Sequence, residues 1–242
     1  MTEHVEYPGR DLEAMSFAVN YHKWILDEFR PFLGKRVVEV GAGTGSFSDM
    51  LTGERIDRLT LIEPSAMFDI LSNGIVSRDG RIEINFEQAL FAQVCEEVAK
   101  RDEPDSIIYV NVLEHVEDDR SELKSVHESL VPGGRCFIFV PALMSLYGKF
   151  DERIGHFRRY SKREIEQKCE DAGFKILLSK YFDTAGIVPW WIKYKLLGSD
   201  SLGSGAVTLY DKFAVPITRL FESVIKPPIG KNILLVCEKH RS

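Results

Sequence analysis

A short apolar run that leads straight into a glycine-rich turn is the feature that most limits how this chain can fold. Residues Arg36–Val40 are mostly β-branched, and the sequence GAGTG follows at once at positions 41–45. This order predicts a buried strand, a tight turn and then a helix that begins with Ser46–Leu51. A glycine turn between a strand and a helix lets backbone N–H groups approach a ligand closely. We therefore expect a ligand site at this turn.

Six more strand-like runs follow, and helix-like segments separate most of them. The predicted strands are 58–63, 81–85, 106–112, 136–142, 174–182 and 231–239. The predicted helices are 12–30, a segment opened by Pro64 and Ser65, 90–100, 121–130, and 161–172 with a capping box from Ser161 to Glu164. Strands that are apolar on both faces and alternate with helices form a parallel sheet covered on two sides. We predict one α/β, Rossmann-like domain over residues 1–242, with an N-terminal helical cap at 1–35.

Two segments, 143–160 and 184–228, interrupt this alternation. The first is charged and aromatic, whereas the second has apolar residues at helical spacing over 187–197 and again over 210–225. We expect both to be lid insertions. For the apolar helix at 187–197, contact with a lipid surface and packing on the sheet or on a second subunit are alternatives, and lid or packing is favoured. The expected assembly is a monomer or a homodimer.

Composition and charge exclude several classes of protein. The net charge is −6, which suits nucleic-acid binding poorly. The four cysteines show no CxxC pair, and no histidine stands at ligand spacing, so we expect neither a metal ion nor a disulfide framework. The N-terminus lacks the apolar core of a signal peptide and no apolar run is long enough to cross a membrane, so we expect a cytoplasmic protein.

An acidic residue stands where an adenosine-containing cofactor needs one. Glu63 ends the second predicted strand, and a carboxylate at that place accepts hydrogen bonds from ribose hydroxyls. A nicotinamide cofactor would call for GxGxxG, but the spacing here is GxGxG and Ser46 stands where the third glycine would be. A tight turn that binds no ligand is the remaining alternative.

The motif series of this chain resembles that of class I S-adenosylmethionine (SAM)-dependent methyltransferases. The resemblance is carried by EVGAGTG, by the acid at Glu63, and by NVLEHVEDD followed by LVPGG. The segment PALMSLYGKFDERIGHFRRYSKREIEQKCEDAGF also resembles one branch of that superfamily, linked to polysaccharide, lipid-linked sugar or natural-product tailoring. The resemblance implies a seven-stranded sheet whose last strand is antiparallel, with SAM as cofactor.

The resemblance also implies which residues hold SAM. The glycine loop would wrap the methionine part, Glu39 would orient that loop, Glu63 would hold the ribose, and Asn111 and Tyr21 would meet the amino-acid end. The full set of implied SAM-binding positions is Tyr21, Glu39, Gly41, Ala42, Gly43, Gly45, Glu63, Pro64, Ser65, Phe86, Glu87 and Asn111.

Two of these assignments have alternatives. The adenine contact after the third strand is often Asp in the family, but this chain has Asn85-Phe86-Glu87, so the adenine residue stays open among Phe86, Glu87 and Gln88, and Phe86 could be part of the core. Tyr21, together with Trp24, could instead pack the N-terminal helix on the core.

Methyl transfer from SAM needs an aligned nucleophile and, for an alcohol or phenol, a base. His115 is the first candidate base, with a structural role in the LEHV turn as its alternative. His156 is the second, and Arg158 or Arg159 could clamp an anionic acceptor. The alternative is an ion-pair latch that pins the insert through Asp151, Glu152 or Glu164. Tyr147 and Tyr160 are predicted to line the acceptor pocket.

The sequence thus predicts methyl transfer to an oxygen, as carboxylate or hydroxyl, or to a nitrogen of an anionic small-molecule or peptide acceptor in a biosynthetic tailoring pathway. A free or lipid-linked sugar is the alternative acceptor. A SAM-binding protein without catalysis and a nicotinamide oxidoreductase are the more distant alternatives.

Overall fold

A seven-stranded sheet forms the centre of the protein, whose computed structural model describes residues 18–77, 80–199 and 204–240. The strands are β1 Arg36–Val40, β2 Arg58–Ile62, β3 Glu83–Glu87, β4 Ser106–Val110, β5 Arg135–Pro141, β6 Phe174–Phe182 and β7 Asn232–Lys239. Their order across the sheet is β3-β2-β1-β4-β5-β7-β6. β7 pairs antiparallel with β5 and β6, whereas the other pairs are parallel. The predicted Rossmann-like sheet with one antiparallel last strand is confirmed.

Helices cover both faces of this sheet. They are α1 Val19–Phe29, α2 Ser46–Leu51, α3 Phe68–Gly74, α4 Phe91–Asp102, α5 Asp119–Ser129, α6 Lys149–Arg153, α7 Lys162–Asp171, α8 Ile187–Trp190, α9 Ser204–Leu209 and α10 Val215–Val224. The predicted capping box is present, because the Ser161 hydroxyl accepts a hydrogen bond from the Glu164 N–H at 3.2 Å. Residues 12–17 of the predicted N-terminal helix lie outside the described residues, and the helix is described from Val19.

The core consists of two clusters, one on each face of the sheet. Along β5, Phe137 and Phe139 pack in the first cluster and Cys136 and Ile138 in the second, since successive side chains of a strand point to opposite faces. Helices α1, α2 and α3 contribute to the first cluster, and α4, α5 and α7 contribute to the second. This two-sided burial is why the strands read as apolar runs without polar alternation.

Two strands, β3 and β4, differ from the prediction by two residues at one or both ends, while β2, β5 and β7 differ by one residue. β3 begins at Glu83 and pairs with β2 in the register Arg58↔Glu83 to Ile62↔Glu87. Phe86 and Glu87 therefore lie inside the strand, whereas the prediction placed them after it. β4 ends at Val110, because Asn111 adopts a φ of +55° that an extended strand does not allow.

The second insert is helical, as predicted. Helix α8 continues as a π-helix over Trp191–Leu196, and α9 continues through a π-helix over Tyr210–Ala214 into α10. The prediction placed the start of this second helical run at Tyr210, but the run begins earlier, at Ser204. Among the described residues, no helix combines the length and the apolar character needed to cross a bilayer.

Candidate cofactor and acceptor site

The glycine turn lies at the carboxyl end of β1, where the strand order reverses. β1 pairs with β2 on one side and with β4 on the other, and ligands of open α/β sheets bind in the crevice at such a reversal. Gly41, Gly43 and Gly45 have φ angles of +68°, +57° and +87°, a region that favours glycine. A Cβ on Gly41 would lie 2.5 Å from Cγ2 of Val112. The residue types of this turn are therefore required by its shape.

Glu63 connects the glycine turn to the segment after β2. One carboxylate oxygen accepts a hydrogen bond from the Gly43 N–H at 2.7 Å, and the other accepts one from the Ser65 N–H at 2.9 Å. The side chain is 6% exposed. Each oxygen retains a second lone pair, so the carboxylate can accept ribose hydroxyls without losing these bonds. Its contact with ribose stays a prediction.

Glu39 lies buried beneath the turn. The Ser48 hydroxyl, on α2, donates a hydrogen bond to its carboxyl at 2.6 Å. Burial raises the pKa of Glu39 to about 8. The hydrogen bond from Ser48 opposes this shift, and the nearby charge of Glu63 adds to it. Glu39 thus joins the end of β1 to α2, and its role in orienting the loop around SAM stays a prediction.

Asn111 lies directly after β4 at the same edge of the sheet. Its φ of +55° turns the chain away from the ladder, and its N–H donates to the Phe139 carbonyl at 2.8 Å. Asparagine tolerates this left-handed region better than most residues other than glycine. The residue lies at the strand end where the amino-acid part of SAM is expected, and its contact with SAM stays a prediction.

Tyr21 packs in the core, and its hydroxyl belongs to a buried polar cluster. The ring makes edge contacts with Phe139 and Phe182, while the hydroxyl lies 3.1 Å from Asp183 Oδ2 and 3.0 Å from Asn232 Oδ1. Lys231 pairs with Asp183 at 2.8 Å. The packing alternative for Tyr21 therefore holds, and a contact with SAM stays a prediction for the same residue.

The predicted adenine side consists of β3 residues and the loop after β2. Phe86 is half-buried against the first core cluster, and Glu87 forms an ion pair with Arg101. The Glu87 carbonyl accepts a hydrogen bond from the Glu63 N–H at 3.0 Å. The helix predicted to open at Pro64 and Ser65 begins instead at Phe68. These residues are near Glu63, but none is singled out by the structure as the adenine contact.

The two candidate bases are neighbours. The rings of His115 and His156 lie 4.5 Å apart between centroids, and both are near Glu114. Nδ1 of His115 lies 3.2 Å from the Gly155 carbonyl, and Nδ1 of His156 lies 2.9 Å from Asp151 Oδ1. Burial lowers the pKa of His115 to about 3, with His156 adding to the effect, which makes it a weak base near neutral pH.

The predicted arginine clamp is engaged in ion pairs within the protein. Arg159 is buried, donates from Nε to Asp151 at 2.8 Å and lies over the Trp190 ring at 4.7 Å. Arg158 pairs with Asp119 at 2.7 Å. The ion-pair latch predicted as the alternative is present through Asp151, and it connects the first insert to the second through Trp190.

The two predicted pocket tyrosines are also bonded within the protein. The Tyr147 hydroxyl donates to the His156 carbonyl at 2.7 Å. Tyr160 is fully buried in the second core cluster, and its hydroxyl donates to Asp119 at 2.8 Å. Contacts of either residue with an acceptor stay predictions.

A cavity of about 170 Å³ lies between α1 and the helices of the second insert. Its lining is mainly apolar and aromatic, and consists of Ala18, Tyr21, Gly186, Pro189, Trp190, Lys193, Tyr194, Ala206, Val207, Tyr210, Asp211, Val215 and Lys231. Most of these residues were absent from the sequence prediction. The aromatic residues of the second insert were the available signal, but sequence alone did not show that they face Tyr21.

Comparison with known proteins identifies the family. A family model described as "Methyltransferase domain" matches residues 19–179, which is more than half of the chain. The chain belongs to the class I SAM-dependent methyltransferase family. The methyltransferase is also 30% identical, over 122 residues, to the ubiquinone biosynthesis O-methyltransferase of Aeromonas salmonicida (strain A449). That match covers 48% of this chain and 47% of the relative, so the methyltransferase aligns with about half the length of this curated relative.

Solved structures share the fold of the methyltransferase. A chain of the Haloferax volcanii complex between the Trm112 methyltransferase activator and a methyltransferase has a TM-score of 0.64 at 16% identity, covering 96% of this chain and 95% of its own. A SAM-dependent methyltransferase from Archaeoglobus fulgidus has a TM-score of 0.61 at 15% identity, with coverage of 94% and 98%. The cyclopropane synthase MmaA2 from Mycobacterium tuberculosis has a TM-score of 0.58 at 15% identity, with coverage of 88% and 82%. At these identities the likeness establishes the fold and leaves the acceptor open.

Proposed function

We propose that this methyltransferase transfers the methyl group of SAM to an oxygen or nitrogen of a small anionic acceptor that carries a ring-sized apolar part. The observation that carries the proposal is the cavity between α1 and the second insert. Its volume of about 170 Å³ is of the size that holds a single six-membered ring. Aromatic walls suit a flat apolar group, and the amine of Lys193 suits an anionic substituent, whereas Lys231 in the same lining is paired with Asp183.

The residues around the glycine turn fit SAM as the cofactor. Glu63 offers a carboxylate with remaining acceptor capacity beside the turn, and Asn111 offers an amide at the neighbouring strand end. Gly41, Ala42, Gly43 and Gly45 would hold the methionine part, Glu63 the ribose hydroxyls, and Asn111 the amino-acid end. SAM supplies the sulfonium methyl group, so the protein needs to align the nucleophile and exclude water.

The two inserts would exclude water above the acceptor. The latch through Asp151, Arg159 and Trp190 fixes the first insert against the second. Asp183 fixes the second insert to α1 and β7 through Tyr21, Tyr210 and Lys231. A carboxylate acceptor would then need no base, because its nucleophilic oxygen is already deprotonated.

The direct test is to incubate the protein with methyl-labelled SAM and an extract of a producing cell, and to identify labelled products by mass spectrometry. The Val207→Trp substitution, which fills the cavity, is expected to raise the KM for the labelled acceptor and to leave SAM affinity unchanged. Leu209→Trp is the matched control, because Leu209 lies on the same helical run and is 62% exposed. A KM that both variants leave unchanged would refute this acceptor site.

A lipid-linked sugar is the second candidate acceptor, and the exposed apolar surface of the second insert favours it. Large apolar side chains with exposures between 42% and 81% lie along it, namely Val188, Trp191, Ile192, Leu196, Leu197, Leu209, Phe213, Ile217, Leu220, Phe221, Val224 and Ile225. On the same segments Lys195, Lys212 and Lys226 are exposed, whereas Asp211 and Glu222 are buried. An apolar surface edged by cations suits the headgroup region of an anionic bilayer.

Vesicle flotation separates the two candidates. Contact with lipid predicts that the protein floats with phosphatidylglycerol vesicles, less so with phosphatidylcholine vesicles, and that Leu220→Glu abolishes flotation. Val76→Glu is the control, because Val76 is 66% exposed and lies outside the insert. Absence of flotation with both lipids would remove the bilayer as the source of the acceptor.

A further inference from the structure

Glu114 is a buried carboxylate whose oxygens lack a hydrogen-bond partner within the described part of the chain. It lies in the 3₁₀ turn Leu113–His115 after β4, is 0% exposed, and neither Oε1 nor Oε2 is within hydrogen-bonding geometry of a donor. Nε2 of His156 lies 3.7 Å from Oε1, which is too far for a hydrogen bond. An ionised carboxylate buried in this way is costly unless a cation or a donor satisfies it.

Two imidazoles lie around this carboxylate. One potential ligand atom from each of Glu114, His115 and His156 lies within 4.8 Å of the others. The Nδ1 atom of each histidine faces an acceptor, which is the Gly155 carbonyl for His115 and Asp151 Oδ1 for His156. Metal-binding histidines usually donate their outer N–H to a carbonyl or carboxylate in this way, which fixes the ring and leaves Nε2 as the ligand atom.

We propose that Glu114, His115 and His156 bind a divalent transition-metal ion. Two imidazoles and one carboxylate suit Zn²⁺, Fe²⁺, Co²⁺ or Mn²⁺ better than Mg²⁺ or Ca²⁺, which prefer ligand sets made of oxygen alone. Three protein ligands leave coordination positions for water or for an oxygen of another molecule. None of the cysteines belongs to the cluster, and Cys136, Cys169 and Cys237 are buried in the core.

The charge around the cluster also suits a cation. Glu114 and Asp151 carry two negative charges when ionised, and Arg159 supplies one positive charge through its pair with Asp151 at 2.8 Å. A net negative charge therefore remains to favour a divalent ion. A protonated His156 between Asp151 and Glu114, without a metal, is the competing arrangement.

The location gives this ion a role that rests on the proposed function. The cluster follows β4 by way of Asn111, at the carboxyl edge of the sheet where the methyl donor is expected. An ion there would bind an acceptor hydroxyl and lower its pKa, so that the oxygen loses its proton to solvent and attacks the methyl carbon as the sulfonium carbon–sulfur bond breaks. With the ion in place, no side chain would need to act as the general base for the acceptor hydroxyl, so the weak basicity of His115 would not prevent the reaction.

The sequence predicts no metal ion, because Glu114, His115 and His156 show no recognisable ligand spacing. Glu114 and His115 are adjacent, and His156 lies in the first insert, after α5, β5 and α6. The fold brings them together through the Phe157 N–H, which donates to the Glu114 carbonyl at 2.9 Å.

The experiment is a metal titration of the full chain without an affinity tag and after treatment with a chelator. We expect Co²⁺ to bind with a stoichiometry of one, to give visible d–d absorption, and to raise the Tm, with Zn²⁺ displacing the absorption. Glu114→Gln should weaken Co²⁺ affinity at least about 100-fold, since removing even an outer partner of a ligand costs about 10- to 100-fold. His127→Asn is the control and should bind Co²⁺ as the wild type does, because His127 lies on α5 against Phe174.

Two results would overturn the proposal. One is the absence of stoichiometric Co²⁺ absorption in a protein that binds SAM normally. The other is Co²⁺ binding that Glu114→Gln leaves unchanged. If Glu114→Gln lowers the Tm of the chelator-treated protein and Co²⁺ does not bind to the wild type, the metal-free ion pair with His156 is correct. Since none of these readouts uses an acceptor, a failure of the proposed function would leave them interpretable.

Discussion

At the scale of single residues, left-handed backbone conformations gather at the carboxyl edge of the sheet. Four non-glycine residues in the described part of the chain have a positive φ, and one of them, Glu103, lies after α4 and away from this edge. Besides the glycines of the turn after β1, the other three, Asn111, Leu143 and Asp183, have φ angles of +55°, +66° and +61°. They follow β4, β5 and β6 within two residues of the strand ends. Such conformations cost of order 1–3 kcal/mol each and persist where a site needs them. Their clustering supports a functional edge without depending on any relative.

The first prediction concerns the middle glycine of the turn. Gly43→Asp should abolish measurable SAM binding in calorimetry, because the new side chain enters the space of the ligand and adds a residue with a β-carbon at a φ of +57°. The far-UV circular dichroism should stay that of the wild type. Retained SAM affinity in a folded Gly43→Asp protein would show that the turn does not hold the cofactor.

The second prediction concerns Asn111. Glycine accepts the φ of +55° at this position, so Asn111→Gly should keep the fold while it removes the side-chain amide. We expect SAM affinity to fall about fivefold, which corresponds to about 1 kcal/mol for one lost hydrogen bond. Asn111→Ala serves for comparison, since it removes the same amide but adds backbone strain and should lower the Tm further. SAM affinity equal to that of the wild type in Asn111→Gly would exclude the contact.

The third prediction concerns pH and Glu39. Folding raises the pKa of this carboxyl from 4.5 to about 8, so the folded state retains a proton that the unfolded chain releases at lower pH. The stability that this proton contributes is complete below about pH 4.5 and is lost as the pH rises through about 8. In the absence of SAM, the Tm of the wild type should therefore fall between about pH 5 and pH 9 more than the Tm of Glu39→Gln. Parallel Tm profiles would show that Glu39 is ionised in the folded state.

At the scale of elements, a single substitution can break the latch between the two inserts, which consists of Asp151, Arg159 and Trp190. Arg159→Ala would remove the guanidinium partner of the buried Asp151 and leave it the side chain of His156. Breaking a buried ion pair from one side costs about 3–5 kcal/mol, so chemical denaturation should show a loss of that order. Arg159→Lys keeps the charge but loses the planar group over Trp190, and should lose less. A loss below about 0.5 kcal/mol for Arg159→Ala, typical of a surface pair, would mean that the latch is open in solution.

The types of the strands and helices can be predicted from the sequence more readily than the residues at which they end. The two-sided burial of β1, β4 and β5 produces apolar runs that can be recognised without knowledge of their neighbours. The ends of β3 and β4 depend instead on pairing with β2 and on the backbone of Asn111, which no local pattern records. Phe86 and Glu87 were consequently placed after β3, although they belong to it.

At the scale of the whole molecule, the contacts that complete the site join segments far apart in sequence. Tyr21 and Asp183 are separated by 162 positions, and Tyr21 and Asn232 by 211. The cavity and the cluster around Glu114 arise from such contacts, so the sequence predicted the glycine turn, named His115 and His156 only as candidate bases, and did not predict the cavity. The motif at the turn was visible because one strand, one turn and one helix contain it entirely.

The central claim is that the glycine turn, Glu63 and Asn111 hold SAM at the reversal point of the sheet. A crystal structure with S-adenosylhomocysteine tests it most directly. The account predicts ribose hydroxyls within hydrogen-bond distance of the Glu63 carboxylate, which would keep its bonds to the Gly43 and Ser65 N–H groups. Density for the nucleoside elsewhere, with Glu63 contacting only the protein, would contradict it.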